Sequence, residues 1–326
     1  MRIVSLLFVI PVFVSAADIE PATLRAAAQK GLSLLIKTSP TFVKKGGCNS
    51  CHNQMLPAAA QAYAGKQGIA TGAPIEQLPP EVSEITTERL IEYSTNPVGS
   101  SGYELFAYAS AGRPTDARIE AQVYFIKSMQ QPDGYWRTVG NRPPLTFDDF
   151  TTTAYAIYAL NAYTPKAQME DKDVRIARAR SWLQEAKPVI TQERSFHLLG
   201  LAWAKSGQDA MDKAVRGLVA MQQKNGGWSQ LPAMPADAYA TGMALFAMHE
   251  GGVPASHPAY QKGLRYLLET QAADGTWHVK TRALPVQPYF ESGYPYGHDQ
   301  WISAAGAAYA TMAIAAAVEP ERRAQR

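Results

Sequence analysis

The chain has only two cysteines among 326 residues, Cys48 and Cys51. Three positions apart, they cannot tie distant segments together, so no disulfide framework holds this fold. Long apolar runs are also lacking. Beyond the first 17 residues no segment approaches the roughly 20 apolar residues that a membrane-spanning helix needs. An excess of one sign of charge is nearly absent too, with a formal net of +3 and no Lys/Arg cluster, which argues against a nucleic-acid partner. There is no phosphate-binding glycine loop, no Gly-Cys-Gly-Glu thioester motif and no Ser/His/Asp constellation, so the common nucleotide and acyl-transfer chemistries have no residues to stand on.

The start of the chain carries targeting features. Arg2 is followed by an apolar stretch over residues 3–14 and by the small residues Ser15, Ala16 and Ala17. This order predicts a secretory signal peptide over 1–17 and a periplasmic or secreted protein with no membrane span after cleavage. Residues 18–320 are expected to form one domain, and the basic end, 321–326, a frayed tail.

Internal repetition is the strongest signal. Gln, two residues, Asp or Asn, Gly, one residue and Trp recur at Gln130…Trp136, Gln222…Trp228 and Gln271…Trp277. The tryptophans are 228 − 136 = 92 and 277 − 228 = 49 residues apart, so a unit without the motif belongs between the first two. Residues 175–205, with two helical patterns around Lys187-Pro188, supply it. An amphipathic helix precedes each motif, with apolar positions such as Ala214, Val215, Leu218 and Met221 at helical spacing. The Asp/Asn-Gly pair stops that helix, the Trp is placed to pack beneath the turn, and the Gln can bond freed backbone groups. A second, Ala/Gly/Thr-rich helix then begins at an aspartate: Asp149, Asp237 or Asp299. The pattern yields six pairs, with first helices near 20–37, 80–93, 114–130, 171–186, 208–223 and 257–271. Their partners lie near 52–68, 101–111, 149–162, 191–206, 237–251 and 299–317. Six pairs close a ring, so the expected fold is all-α, a single (α/α)6 toroid with outer and inner helices.

Over roughly residues 110–317 these motifs resemble the terpenoid cyclase and protein prenyltransferase α/α toroids, the squalene-cyclase-like repeat group. The resemblance implies a ring built around a central, largely apolar cavity. In squalene-hopene cyclases the catalytic acid sits in Asp-x-Asp-Asp-Thr-Ala. The nearest match is Thr146-Phe147-Asp148-Asp149-Phe150-Thr151, in which Thr146 replaces the first Asp and Phe150 displaces the Thr. The zinc ligands of a prenyltransferase have no counterpart, because both cysteines lie far upstream of the repeats.

The cysteines instead form Cys48-Asn49-Ser50-Cys51-His52, the attachment signature of haem c, with His52 as an iron ligand. Zinc is the alternative metal, and a Cys48–Cys51 disulfide the simplest one. Ring closure would bring the last pair beside the first, which makes His298 the candidate distal ligand, with Met234 in second place. Two readings follow. The leading one is an exported haem protein for electron transfer or redox chemistry on a small molecule in the ring, served by a redox partner protein. The other is a cyclase or lyase that binds a hydrophobic ligand and uses Asp148 and Asp149 as acids, one raising the pKa of the other; a non-catalytic binding scaffold is a further possibility. The aromatic stretch 289–301 is placed either to line a pocket or to pin the rim of the ring.

Overall fold

The computed structural model describes residues 19–46, 50–75, 97–140, 142–145, 147–285 and 288–318. The segment expected to act as signal peptide, the tail 321–326, Cys48, Thr146 and the outer helix expected at 80–93 all lie outside them. Eleven α-helices occur among these residues, and no strand. They are α1 (Pro21–Gly46), α2 (Leu56–Lys66), α3 (Pro97–Ser110), α4 (Ala117–Ser128), α5 (Asp149–Tyr163) and α6 (Met169–Glu185). α7 (Thr191–Trp203), α8 (Gln208–Val219), α9 (Ala238–Glu250), α10 (Pro258–Thr270) and α11 (Gln300–Ala316) complete the chain.

Six of them form the inner wall. In order, α2, α3, α5, α7, α9 and α11 each pack against the next, and α11 returns to α2. α9 and α11 tolerate this because they are apolar on every side: every residue of α11 but Trp301 is buried, and α9 is buried from Ala238 to Met248. α1, α4, α6, α8 and α10 form the described part of the outer layer, and α8 and α10 are strongly two-faced, as an outer position demands. Gly242 lets α9 and α11 approach until a Cβ there would stand 2.4 Å from the Ala310 backbone nitrogen. The ring is therefore the expected (α/α)6 toroid.

The repeated motif is the joint between neighbouring units. Its Gln donates twice, once into its own turn and once to the next outer helix. Gln130 reaches Gly134 O (2.8 Å) and Arg175 O (2.9 Å), Gln222 reaches Gly226 O (2.7 Å) and Ala259 O (2.8 Å), and Gln271 reaches Gly275 O (3.1 Å) and Ala27 O (3.0 Å). The last bond joins the end of the chain to α1 and closes the ring. Each Trp is fully buried and donates its indole N–H to a carbonyl near the end of the preceding outer helix. The acceptors are Ile126 O at 2.6 Å, Leu218 O at 2.9 Å and Leu267 O at 2.8 Å. These carbonyls lie in the last turn, where the regular i→i+4 bonds run out, and two of them, Ile126 O and Leu218 O, also take a 3₁₀-type amide from Met129 and Met221.

Glycine is required in the motif for two reasons. Gly275 has φ +90°, and a Cβ there would lie 2.3 Å from Lys30 O of α1. Gly275→Ala is expected to lower stability by about 2–3 kcal/mol, through left-handed strain and a clash with backbone that cannot yield. Urea denaturation checks this, and the same midpoint as the parent would show that the closing contact is soft.

The structure departs from the expected boundaries chiefly in α1, which runs through Pro40 to Gly46 rather than ending near 37. Proline removes one helix hydrogen bond. Here the last turns are held by side chains: Phe42 is 1% exposed, and Ser39 O accepts from Gln54 Nε2 at 2.6 Å. A π-helical turn, Cys51–Met55, precedes α2, because the amides of Gln54 and Met55 both donate to Ser50 O.

Candidate active site

The inner helices run parallel, so the starts of α5, α7, α9 and α11 meet at one mouth of the ring. Asp148 sits there, buried, as the N-cap of α5. Its Oδ1 accepts from Thr151 N at 2.8 Å, while Oδ2 accepts from Thr151 Oγ1 at 2.8 Å and from Gln192 Nε2 at 2.6 Å. Burial pushes its carboxyl up to about 6 against the pull of those hydrogen bonds. The helix start was expected to be capped by Asp149. The cap is Asp148 instead, and Asp149, partly exposed, accepts from Thr138 N at 2.7 Å. Burial also raises Asp149, opposed by that amide and by Arg137.

Gln192, on α7, also donates to Pro144 O at 2.6 Å, and its Oε1 accepts from Tyr239 Oη at 3.2 Å. Neither Gln192 nor Tyr239 stands out in the sequence. A glutamine in the motif-free unit reads as a surface residue, and only the ring turns it inward. From Tyr239 the aromatic chain continues to Tyr309, at 5.3 Å between ring centres, and the Tyr309 and Tyr155 hydroxyls share a hydrogen bond of 2.9 Å. Tyr103 packs on Tyr155 at 4.6 Å. These four tyrosines fill the middle of the ring and are at most 1% exposed. The central, largely apolar region that the resemblance implies is packed with aromatic side chains.

The acid and the amide are coupled. Gln192→Leu is expected to raise the Asp148 pKa above about 6, since a bond that favours the carboxylate is lost. It should also cost about 1–3 kcal/mol, because Pro144 O loses its donor. The variant's pH–stability curve reads both. In the parent, a folded pKa above the unfolded value of about 3.9 means that stability falls as pH rises from about 4 through about 6.

The first pair occupies the same mouth. The His52 ring lies parallel to Trp301 of α11, with ring centres 5.9 Å apart, and edge-on to Phe42 at 5.1 Å. Ring closure thus does bring the last pair beside the first. His52 Nδ1 lies 2.6 Å from both Ser50 Oγ and Asn53 Nδ2, and burial, then Arg142, push its pKa down to about 3. His298, however, is exposed and packs on Tyr289 at 4.2 Å. Met234 sits in a loop where its carbonyl accepts from Gln223. Among the described residues no group of three or more His, Cys, Asp or Glu side chains could hold a metal ion. The aromatic stretch 289–301 is pinned to the rim: Phe290 packs on Phe42 at 5.0 Å, and the Ser292 amide donates to Gln300 Oε1 at 2.6 Å.

No family model matches the sequence. Drimenyl diphosphate synthase of Streptomyces showdoensis is 30% identical over 193 residues, 54% of this chain and 35% of that protein. The chain thus spans about a third of the length of this curated relative. Among solved structures, the type II terpene cyclase MstE from Scytonema superposes with a TM-score of 0.58 at 14% identity, covering 92% of this chain and 99% of that one. A variant of MstE in complex with geranylgeranyl dihydroxybenzoate, its substrate, gives 0.56 at 13% identity, covering 91% and 98%. A possible member of the GH105 family from Salmonella enterica gives 0.53 at 13% identity, covering 95% and 99%. At these identities the structures establish the fold alone.

The expectation of an electron-transfer or redox haem protein is corrected by these likenesses: the curated relative is a drimenyl diphosphate synthase, and the fold is shared with a type II terpene cyclase. Around His52, Trp301 and Phe42 pack on the ring and Ser50 and Asn53 lie at its Nδ1, while His298 packs on Tyr289.

Proposed function

We propose that this protein is a protonating helical toroid that cyclises an apolar prenyl-type chain, with Asp148 as the general acid. The observation that carries the reading is a buried carboxyl at the ring mouth, pushed up to about 6 and bonded to Gln192, so that its proton is available near neutral pH. The similarity to drimenyl diphosphate synthase and to the terpene-cyclase fold supports the substrate class.

In the proposed reaction Asp148 gives its proton to one carbon of a terminal double bond. The carbocation on the other carbon is attacked by the next double bond of the same chain, forming a carbon–carbon bond. Loss of a proton to water ends the sequence, and a proton from solvent restores Asp148. Tyr155, Tyr239 and Tyr309 line the way inward, and their ring faces favour a cation. Because they are packed shut, the chain enters by turning these rings aside. Asp149 has a positioning role, since it fixes the 138 loop at the start of α5.

The test is incubation with farnesyl and geranylgeranyl diphosphate, followed by mass spectrometry of the extracted products. A cyclic isomer of the substrate, formed at a rate that falls as pH rises above about 6, is the expected result. Unchanged substrate across pH 4–8 would remove the proposal.

A further inference from the structure

Three of the joints between units are filled by a tryptophan, and the joint between α6 and α8 is not. Only five residues, 186–190, separate Glu185 of α6 from Thr191 of α7, so the Gln…Trp turn has no length in which to form. His197 of α7 takes the place of the indole. Its Nε2 lies 2.7 Å from Leu183 O, a carbonyl near the end of its outer helix, as Ile126, Leu218 and Leu267 are in the other joints. A carbonyl only accepts, so Nε2 carries the proton, and Nδ1 is left as an acceptor.

Imidazole is much smaller than indole, and the difference is left as space. A cleft of about 440 Å³ opens here, with Leu201, Ala210, Ala214 and Pro188 as its apolar lining. Its polar lining includes Lys187, Arg194, His197 and Lys213, against one carboxylate, Asp209. The side chains of Lys187, Arg194 and Lys213 make no hydrogen bond or ion pair with any described residue. Arg194 Nε is buried without a partner, and its guanidinium rests on α8 over Gly217, where a Cβ would stand 2.7 Å from Nη1. Burial, followed by the Arg194 and Lys213 charges, holds His197 below its ordinary pKa, so no further positive charge comes from the imidazole. Arg194, half-buried with its Nε unpartnered, is costly unless an anion balances it, and the exposed Lys187 and Lys213 add positive charge at the rim of the cleft.

We propose that the missing tryptophan has left a second ligand site in the outer layer, between α6, α7 and α8, for a small amphiphile with an oxyanion head and a short hydrocarbon body. Arg194, with Lys187 and Lys213, receives the head. Leu201, Ala210 and Ala214 receive the hydrocarbon. The site is separate from Asp148, and the proposal stands whether or not that residue acts as an acid.

Isothermal titration calorimetry with hexyl phosphate, hexanoate, hexanol and inorganic phosphate tests it on the full chain. Saturable binding of one or both amphiphilic anions is expected, at least tenfold tighter than hexanol or inorganic phosphate; the stronger of the two identifies the head group. Arg194→Gln should weaken that binding at least tenfold. His197→Trp should abolish it, because the indole refills the joint and still donates to Leu183 O. Should His197→Trp fail to fold, Arg194→Gln decides alone. No saturable heat from either anion at millimolar concentration, or undiminished affinity in Arg194→Gln, would overturn the site.

Discussion

Asp148→Asn is expected to reduce cyclisation by about 10²–10⁴-fold while leaving the fold intact, the range a positioned general acid contributes. An asparagine oxygen still accepts from Thr151 N, so the cap on α5 survives, while its Nδ2 faces the Gln192 Nε2 donor, and stability should fall by about 1–3 kcal/mol. Asp149→Asn is the control. That residue is partly exposed and serves the Thr138 amide, a role the asparagine oxygen retains, so a loss of less than about tenfold is expected. Rates with geranylgeranyl diphosphate, read beside circular dichroism, separate the cases. Equal losses in both variants would move the acid away from Asp148. A stable Asp148→Asn protein at full activity would remove acid catalysis from this mouth altogether.

The largest effect on stability should come from Trp277→Ala, at about 3–5 kcal/mol. The indole is 1% exposed, donates to Leu267 O at 2.8 Å, and packs against α1 so closely that a Cβ on Gly31 would stand 3.2 Å from its Cζ3. Its loss leaves a cavity and takes from Leu267 O its strong donor, with only the long bond from Thr270 Oγ1 (3.5 Å) remaining. Trp136 makes the same kind of bond within the middle of the chain. Only Trp277 also seals the last unit onto the first. Hydrogen exchange should therefore quicken in α1 for Trp277→Ala but not for Trp136→Ala. Faster exchange spread evenly over the ring would show that the toroid opens as one cooperative unit and not at its seam.

Much of the architecture could be read in advance because it rests on local rules. The Asp/Asn-Gly pairs mark helix exits, and the Ala/Gly/Thr composition of α5, α9 and α11 marks an inner position. The predicted ends of most helices fall within a few residues of those observed. α1 runs past its expected end near 37 and through Pro40 because Phe42 and Gln54 hold its last turns. Asp148 and Asp149 were recognisable as a pair, yet their division of labour was not. One residue of register decides which carboxylate caps the helix and is buried.

The Cys-x-x-Cys-His segment is legible only as a local signature, because what surrounds His52 is a property of neighbouring helices. The sequence alone determined the repeat, the number of helical pairs and the closing of the ring, because glycine conformation, helix periodicity and indole size act over a few residues. Only the tertiary structure decided which carboxyl is buried, that tyrosines from four inner helices fill the middle, that Trp301 and Phe42 enclose His52, and that the joint without a tryptophan is left open. Each of these depends on side chains from separate helices meeting in one place, and desolvation, which sets both the acidity of Asp148 and the room for a ligand, is created only by that meeting.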